Sequence, residues 1–226
     1  MLLRIPEVLD TAQLAQCRRA LAEIEWVDGR VTAGHLSMAV KHNDQVREDH
    51  PVAARHGRAI LDALEQNPLF VSGALPAKIV PPLFNRYSVG QSYGPHIDGS
   101  VRQVTGGPER IRTDLSATLF LSDPGEYDGG ELVIEDTVGS HRVKWPAGDM
   151  VLYPAGSVHQ VLPVTRGARI AAFFWIQSLV REDRRRRMLF DLDLTIQRLR
   201  RDFPQHGAAL ELTATYHNLM REWADV

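Results

Sequence analysis

A dense series of short β-forming runs in the middle of the chain constrains the fold more than any other feature. These runs are rich in β-branched and aromatic residues, and turn-forming clusters at 123–125, 128–130 and 147–149 separate several of them. About eight strands in roughly a hundred residues favour an antiparallel sandwich or barrel over alternating β-α units. We predict a double-sheet jelly roll. The runs are 78–80, 83–87, 115–122, 131–135, 141–145, 150–153, 158–164 and 169–177.

Helical patterns precede this region. Asp10 and Gln13 resemble a capping box, and the run that follows continues until Gly29 stops it. A second helix is expected from Pro51, a favoured first-turn residue, to the breaker at 67–68. The segment 31–44 between them is extended or irregular. The apolar residues that recur at helical spacing in the first helix are Leu14, Cys17, Leu21 and Ile24.

Two more helices are predicted after the β-rich region, at 181–199 and about 209–223, with a break at Pro204 and Gly207. The predicted fold class is therefore α+β, a double-stranded β-helix core with N-terminal helices and a C-terminal helical pair. The three predicted regions are 1–77 (helical support), 78–178 (jelly-roll core) and 179–226 (helical).

Composition and charge argue against several classes of protein. Lys+Arg 26 against Asp+Glu 28 gives a net charge of −2, so no overall basic field attracts nucleic acid or a membrane surface. The single Cys17 cannot form an internal disulfide or a thiolate zinc cage. Arg4 and Pro6 precede any apolar signal region, and the stretch 170–176 is far shorter than the ~20 residues that cross a bilayer. We expect a cytoplasmic protein with no nucleic-acid or membrane partner, and a homo-oligomer is left open.

The segment 85–98, Asn-Arg-Tyr-Ser-Val-Gly-Gln-Ser-Tyr-Gly-Pro-His-Ile-Asp, carries the strongest chemical signal. In an extended chain His96 and Asp98 project to the same side. A jelly roll can bring His159, in a turn before a late strand, beside them. Two histidines and one aspartate match the facial triad of non-haem Fe(II) oxygenases. His-x-Asp by itself is a common chance pattern, and a satisfied loop histidine is the competing interpretation of His96.

Arg169 lies ten positions after His159 and begins a strand whose other members are almost entirely apolar. A guanidinium is costly to bury unless a carboxylate meets it, so an anion is expected there. That anion is either the distal carboxylate of 2-oxoglutarate or an internal Asp or Glu. Arg166 is a competing arginine, but the neighbouring Gly167 indicates a solvated turn.

In this order and setting, these residues resemble those of the Fe(II)/2-oxoglutarate-dependent dioxygenases, and within them the chain looks like the PKHD-type hydroxylases, relatives of prolyl and lysyl hydroxylases. The resemblance implies that a protein residue or small molecule is hydroxylated with O₂ while 2-oxoglutarate is decarboxylated to succinate. It implies that His96, Asp98 and His159 bind Fe(II) and that Arg169 binds 2-oxoglutarate. Tyr87 matches a tyrosine that donates to the cosubstrate in similar enzymes, with a packed core tyrosine as the alternative. Ascorbate is implied as a reductant. The other matching segments are 85–93, 128–132, 148–154 and 163–169.

Two other functions compete with this one. A noncatalytic jelly roll that senses a metal or small anion would bind metal without turning over 2-oxoglutarate, and Arg169 argues against it. A cupin-type isomerase or dioxygenase usually relies on three or four histidines, whereas Asp98 occupies the second position here.

Several other features are open to a functional or a structural interpretation. The segment 99–112 is expected to be either a lid over the site or a solvated loop. The arginines at 184–187 are expected to form a solvated, salt-bridged face, and Met188, Leu192 and Trp223 are expected to mean helix packing, either onto the β core or across a homodimer. The remaining histidines are expected to be structural or exposed: His35, His42, His50, His56, His141, His206 and His217.

Overall fold

A computed structural model describes residues 1–32, 38–137 and 139–226. Within them the helices are α1 (Thr11–Ala22), α2 (Pro51–Glu65), α3 (Pro68–Ala74), α4 (Asp183–Asp202) and α5 (Ala208–Trp223). The strands are β1 (Leu3–Ile5), β2 (Val27–Asp28), β3 (Lys41–His42), β4 (Asp44–Gln45), β5 (Pro76–Ile79), β6 (Leu83–Tyr87), β7 (Ser92–His96), β8 (Val101–Gln103), β9 (Arg110–Arg112), β10 (Leu115–Phe120), β11 (Tyr127–Gly129), β12 (Leu132–Asp136), β13 (Gly139–Val143), β14 (Met150–Pro154), β15 (His159–Val161), β16 (Val164–Gly167) and β17 (Arg169–Ser178).

Two antiparallel sheets form the centre of the molecule. The larger sheet has the order β1-β14-β10-β17-β6-β4-β2, with β5 paired to β17, and the smaller has the order β13-β12-β15-β7-β3. One apolar cluster joins Phe120 and Val151 of the larger sheet to Leu132 and Val161 of the smaller sheet. The two sheets therefore pack face to face. Helices α1, α2 and α3 supply apolar residues to a second cluster on the larger sheet.

The predicted first and second helices are confirmed in their starting residues. Asp10 and Gln13 form the reciprocal capping box of α1, and Pro51 occupies the first turn of α2. Helix α1 ends at Ala22 rather than near Gly29. The sequence does not predict α3, because Asn67 followed by proline indicates a helix break. Asn67 is at the same time the N-cap of α3, since its Oδ1 accepts a hydrogen bond from the Phe70 N–H at 3.0 Å.

The N-terminal region also contributes strands that the sequence does not predict. Strand β1 pairs with β14, while β4 pairs with β6 in the larger sheet and β3 pairs with β7 in the smaller. Strands of two or three residues are too short to show a hydrophobic period, so only the tertiary partner identifies them. The chain between 41 and 45 thereby passes from one sheet to the other.

The eight predicted strands are all present, with shifted ends. The run 158–164 is divided into β15 and β16, and the segment 85–98 contains β7. The segment 99–112 forms the hairpin β8–β9.

The C-terminal helices pack on each other, and Trp223 and Leu189 meet in one apolar cluster. One part of the prediction for the four arginines is wrong: Arg186 is only 2% exposed. Its guanidinium donates to the Val180 and Arg181 carbonyls at 2.8 Å each, so it anchors α4 to the end of β17. Met188 is half exposed and so is not packed onto the β core, and its packing across a homodimer stays a prediction. No helix within the described residues is long and apolar enough to span a membrane.

The described histidines outside the predicted triad are structural or exposed, as expected. His56 is buried on α2, His50 caps the same helix, and His141 pairs with Asp136. The exposed ones are His42, His206 and His217. His35 lies outside the described residues.

Replacement of Gly129 by alanine is expected to destabilise the protein by more than about 1 kcal/mol. Gly129 has φ of +69°, and an added Cβ would lie 2.1 Å from the Pro163 carbonyl oxygen, so both backbone and space exclude a side chain. The measurement is urea unfolding. Gly125→Ala is the matched control because nothing lies within 4 Å of its added Cβ. Equal midpoints for the two variants would contradict the turn assignment.

Candidate active site

A cavity of about 740 Å³ lies between the two sheets. Its lining includes every residue that the sequence predicts to bind the metal or the cosubstrate. These residues are Tyr87, His96, Asp98, His159 and Arg169. The structure therefore places residues that are as much as 82 positions apart in the chain around the same cavity.

His96, Asp98 and His159 form a compact cluster. His96 ends β7 and lies directly opposite His159 in the antiparallel pair β7–β15, which is why residues 63 positions apart become neighbours. One potential ligand atom from each of the three residues lies within 4.8 Å of the others. The Nε2 atom of His159 is 3.7 Å from Oδ2 of Asp98. Two imidazoles and one carboxylate at these separations can hold one divalent metal ion on one face.

The backbone fixes the orientation of both imidazoles. Nδ1 of His96 donates to the Gly94 carbonyl at 2.8 Å, and Nδ1 of His159 donates to the Ser157 carbonyl at 3.0 Å. Because a carbonyl oxygen only accepts, each Nδ1 carries the proton and each Nε2 keeps a lone pair for a metal. Burial, assisted by the neighbouring His159, lowers the pKa of His96 to about 4. His96 is therefore neutral at pH 7, as a metal ligand must be.

The third group of the cluster, Asp98, is oriented by a hydroxyl that the sequence does not single out. Ser116 is 2% exposed on β10, and its Oγ donates to Oδ2 of Asp98 at 2.6 Å. The hydrogen bond crosses from the larger sheet to the carboxylate that follows β7. Its only signal in the sequence is a small polar residue inside a predicted apolar strand.

Replacement of Ser116 by alanine is expected to weaken metal binding on the order of 10–100-fold, the usual cost of losing a group that orients a ligand. The measurement is the anaerobic dissociation constant for Fe(II). Ser122→Ala is the matched control, because the Ser122 hydroxyl is equally buried but bonds to the Ala168 carbonyl and the Ile170 N–H. Equal metal affinity in the two variants would show that Ser116 does not act through Asp98.

Arg169 is almost completely buried, with 1% exposure, at the start of β17. Its Nε and Nη1 atoms have no hydrogen-bond partner among the described residues. The rings of Tyr87 and Phe120 lie against the guanidinium at 5.4 Å each. By contrast, Arg166 is exposed, as the sequence predicts, and it forms an ion pair with Asp128. A buried guanidinium with unused donors that lines a cavity fits an incoming carboxylate.

Tyr87 lies opposite Arg169 in the pair β6–β17. It belongs to the cluster between the sheets and also lines the cavity. Burial raises the pKa of its phenol well above the usual value, so the hydroxyl stays protonated and can donate a hydrogen bond. Thr118 and Tyr153 also line this cavity, and the sequence does not single them out.

The hairpin β8–β9 lies at the rim of the cavity, where Val101 and Arg102 contribute to the lining. Arg102 donates to Glu48 at 2.8 Å, and its guanidinium lies 4.9 Å from the ring centroid of Trp175. The segment 99–112 is thus an ordered hairpin, tied by its Arg102 to the body of the molecule.

Comparison of the chain with known proteins identifies its family. The model of the 2OG-Fe(II) oxygenase superfamily matches residues 82–177, and the model of the PKHD-type hydroxylase C-terminal domain matches residues 183–225. The PKHD-type hydroxylase PiuC of Pseudomonas aeruginosa is 57% identical over 226 residues, and a PKHD-type hydroxylase of Bordetella pertussis is also 57% identical over 226 residues. Both alignments cover 100% of each chain.

Solved structures resemble the fold at lower identity. A prolyl-4-hydroxylase of Pseudomonas putida aligns with a TM-score of 0.52 at 23% identity, over 78% of this chain and 92% of that one. A prolyl hydroxylase of Trichoplax adhaerens aligns with a TM-score of 0.53 at 13% identity, over 83% and 86% of the two chains. Together with the full-length relatives, these findings show that the chain belongs to the PKHD-type hydroxylases, enzymes of the Fe(II)/2-oxoglutarate-dependent oxygenase superfamily.

Proposed function

We propose that His96, Asp98 and His159 hold the Fe(II) ion of this hydroxylase, and that Arg169 and Tyr87 hold the distal carboxylate of 2-oxoglutarate. The observation that carries this assignment is the presence, in one cavity, of a three-ligand cluster and a buried guanidinium with two unused donors. An internal carboxylate would have satisfied those donors, and none of the described residues supplies one. A cosubstrate carboxylate explains why the charge is buried.

Two imidazoles and one carboxylate, from His96, His159 and Asp98, suit the Fe(II) ion that the family uses. When bound, iron and 2-oxoglutarate supply O₂-dependent hydroxylation of a C–H bond, coupled to decarboxylation of 2-oxoglutarate to succinate. The protein contributes orientation: Ser116 positions the Asp98 carboxylate, and the Gly94 and Ser157 carbonyls position the two imidazoles. Residues of both sheets line the cavity around the reacting atoms.

The strand order supports a double-stranded β-helix. Strands β6, β17, β10 and β14 are neighbours in the larger sheet, and β7, β15, β12 and β13 are neighbours in the smaller. The eight strands alternate between the sheets along the chain, apart from the hairpin β12–β13, as two interleaved Greek keys require. On this basis we retain the proposed division into a supporting region 1–77, a core 78–178 and a helical region 179–226.

The proposed substrate is a protein residue or a small molecule that reaches the cavity from the rim of β8–β9. O₂ and 2-oxoglutarate are its co-reactants. Ascorbate, as a reductant for iron, follows from the family resemblance, and a cytoplasmic location is a prediction from the sequence.

The direct test is an anaerobic titration of the Fe(II)-loaded protein with 2-oxoglutarate. Chelation of the metal by the 2-oxo acid is expected to produce a weak visible charge-transfer band, and succinate is expected to appear once O₂ and a substrate are admitted. Tight iron binding without a band at saturating 2-oxoglutarate would overturn the site assignment. In that case a metal or anion sensor becomes the better description.

A further inference from the structure

The cavity has a second polar wall, which the proposed reaction does not use. Between 41 and 45, where the chain passes from the smaller to the larger sheet, burial alternates with residue number. Lys41, Asn43 and Gln45 are buried, at 6%, 2% and 2% exposure, and all three line the cavity. His42 and Asp44 between them point away from it and are more exposed. Inward positions of a sheet normally carry apolar side chains, so three successive polar ones indicate a binding role.

Asn85 of the neighbouring strand β6 extends this wall. It pairs with Gln45 across β4–β6, is 7% exposed, and also lines the cavity. Its Oδ1 atom is buried without a hydrogen-bond partner among the described residues. Asn43 lies close to the Tyr87 hydroxyl, but its amide atoms reach no described group at hydrogen-bond geometry. Buried amides are costly to leave unsatisfied, which a polar ligand would correct.

Lys41 gives the wall its charge. The chain contains only three lysines, Lys41, Lys78 and Lys144, among its 26 basic residues. The Lys41 ammonium lies 5.3 Å from the ring centroid of Tyr93, and this ring stacks on the imidazole of His96 at 3.5 Å. Burial lowers the pKa of Lys41 to about 8. The lysine is therefore next to the metal cluster but on a different strand pair from Arg169.

We propose that Lys41, Asn43, Gln45 and Asn85 form the subsite that binds a carboxylate of the primary substrate. An ammonium with neighbouring amide donors and acceptors suits a small oxyanion that carries further hydrogen-bonding groups, as in an amino-acid-like compound. Ile97, Val101 and Trp175 also line the cavity and supply apolar surface for the carbon skeleton that follows. This inference rests on the proposed function, since it assumes that Arg169 is occupied by 2-oxoglutarate.

The test uses the charge selectivity of reductive alkylation at the three lysines. The full chain is loaded with Ni(II), which replaces Fe(II) without turnover, and with saturating 2-oxoglutarate. It is then treated with cyanoborohydride and either 4-oxobutanoate or uncharged butanal, and modification is quantified by peptide mass spectrometry. Each aldehyde condenses with the amine, water leaves, and hydride reduces the imine to a secondary amine. Each lysine is described by its rate of modification with 4-oxobutanoate divided by its rate with butanal. The intrinsic reactivity of the lysine contributes to both rates and therefore drops out of this ratio.

The 4-oxobutanoate/butanal ratio at Lys41 is expected to exceed the ratios at Lys78 and Lys144 at least ~10-fold, the effect of one charge-assisted hydrogen bond. Asn43→Leu, which removes a buried Nδ2 donor that has no partner among the described residues, is expected to lower the Lys41 ratio toward that of the other lysines, and the exposed Asn218→Leu serves as its control. Equal ratios at all three lysines in the wild-type protein would overturn the proposal.

A second arm separates this subsite from the cosubstrate site. If selectivity at Lys41 is present without 2-oxoglutarate and disappears when it is added, the wall binds the cosubstrate and the proposal is wrong. Binding of 2-oxoglutarate to the Ni(II) protein is followed separately by calorimetry. Failure of that binding would count against the assignment of Arg169, whereas the lysine ratios report on the wall itself.

Discussion

Replacement of His96 by alanine is expected to lower the affinity for Fe(II) by more than about 100-fold and to eliminate the visible band formed with 2-oxoglutarate. Loss of a group that merely orients a ligand costs 10–100-fold, so loss of the ligand itself should cost more. His96 supplies one of three donors, and its neighbours His159 and Asp98 cannot complete the set. The measurement is anaerobic equilibrium dialysis with Fe(II), followed by titration with 2-oxoglutarate.

His141→Ala is the matched control for this variant. His141 also contacts an aspartate, with Nε2 2.9 Å from Oδ2 of Asp136, but the pair is largely exposed and lies outside the cavity. Iron affinity should be unchanged in this control. If His96→Ala binds iron as tightly as the wild-type protein does, the metal is held elsewhere and the proposed site is wrong.

Replacement of Arg169 by methionine is expected to raise the dissociation constant of 2-oxoglutarate on the order of 10²–10³-fold. Removal of one partner from a buried charge pair costs about 3–5 kcal/mol, and each 1.4 kcal/mol is a factor of ten. Metal affinity should change little, because Arg169 is not part of the ligand cluster. The measurement is calorimetric titration of the metal-loaded protein with 2-oxoglutarate.

The effect of Arg169→Met on the melting temperature should depend on whether 2-oxoglutarate is bound. Without 2-oxoglutarate, the wild-type protein buries a guanidinium whose Nε and Nη1 have no partner among the described residues, so the methionine variant should melt at the same or a higher temperature. With 2-oxoglutarate, only the wild-type protein should gain stability. Arg166→Met, which removes an exposed ion pair with Asp128, is the control. A variant that melts lower in the absence of ligand, yet binds it normally, would assign Arg169 a purely structural role.

Much of the secondary structure could be predicted because its signals are local. The capping box at Asp10, proline at the start of α2 and the glycine-rich turn at 128–130 are interactions between residues close in sequence. The nominated site residues follow from side-chain chemistry, since a lone arginine before an apolar strand or a His-x-Asp pair is visible without coordinates. These residues lie in one cavity because of the order in which the strands pair, and no short stretch of sequence predicts that order.

The parts that escaped prediction depend on long-range partners. Strands β2, β3 and β4 have two residues each and exist because β6 and β7 pair with β4 and β3. Arg186 is buried because the Val180 and Arg181 carbonyls, which follow β17, lie within its reach, and its arginine-rich neighbourhood in the sequence does not reveal this.

Residue type and short spacing are enough to predict the starts of α1 and α2, the succession of the eight predicted strands and the candidate metal-binding and carboxylate-binding side chains. The contact between Ser116 and Asp98, and the shared orientation of Lys41, Asn43 and Gln45 toward one cavity, appear only in the folded chain. Such contacts join residues from opposite sheets, and the direction in which a side chain faces depends on strand register. Register is fixed by the burial of whole sheet faces against each other, an energy that no short segment contains.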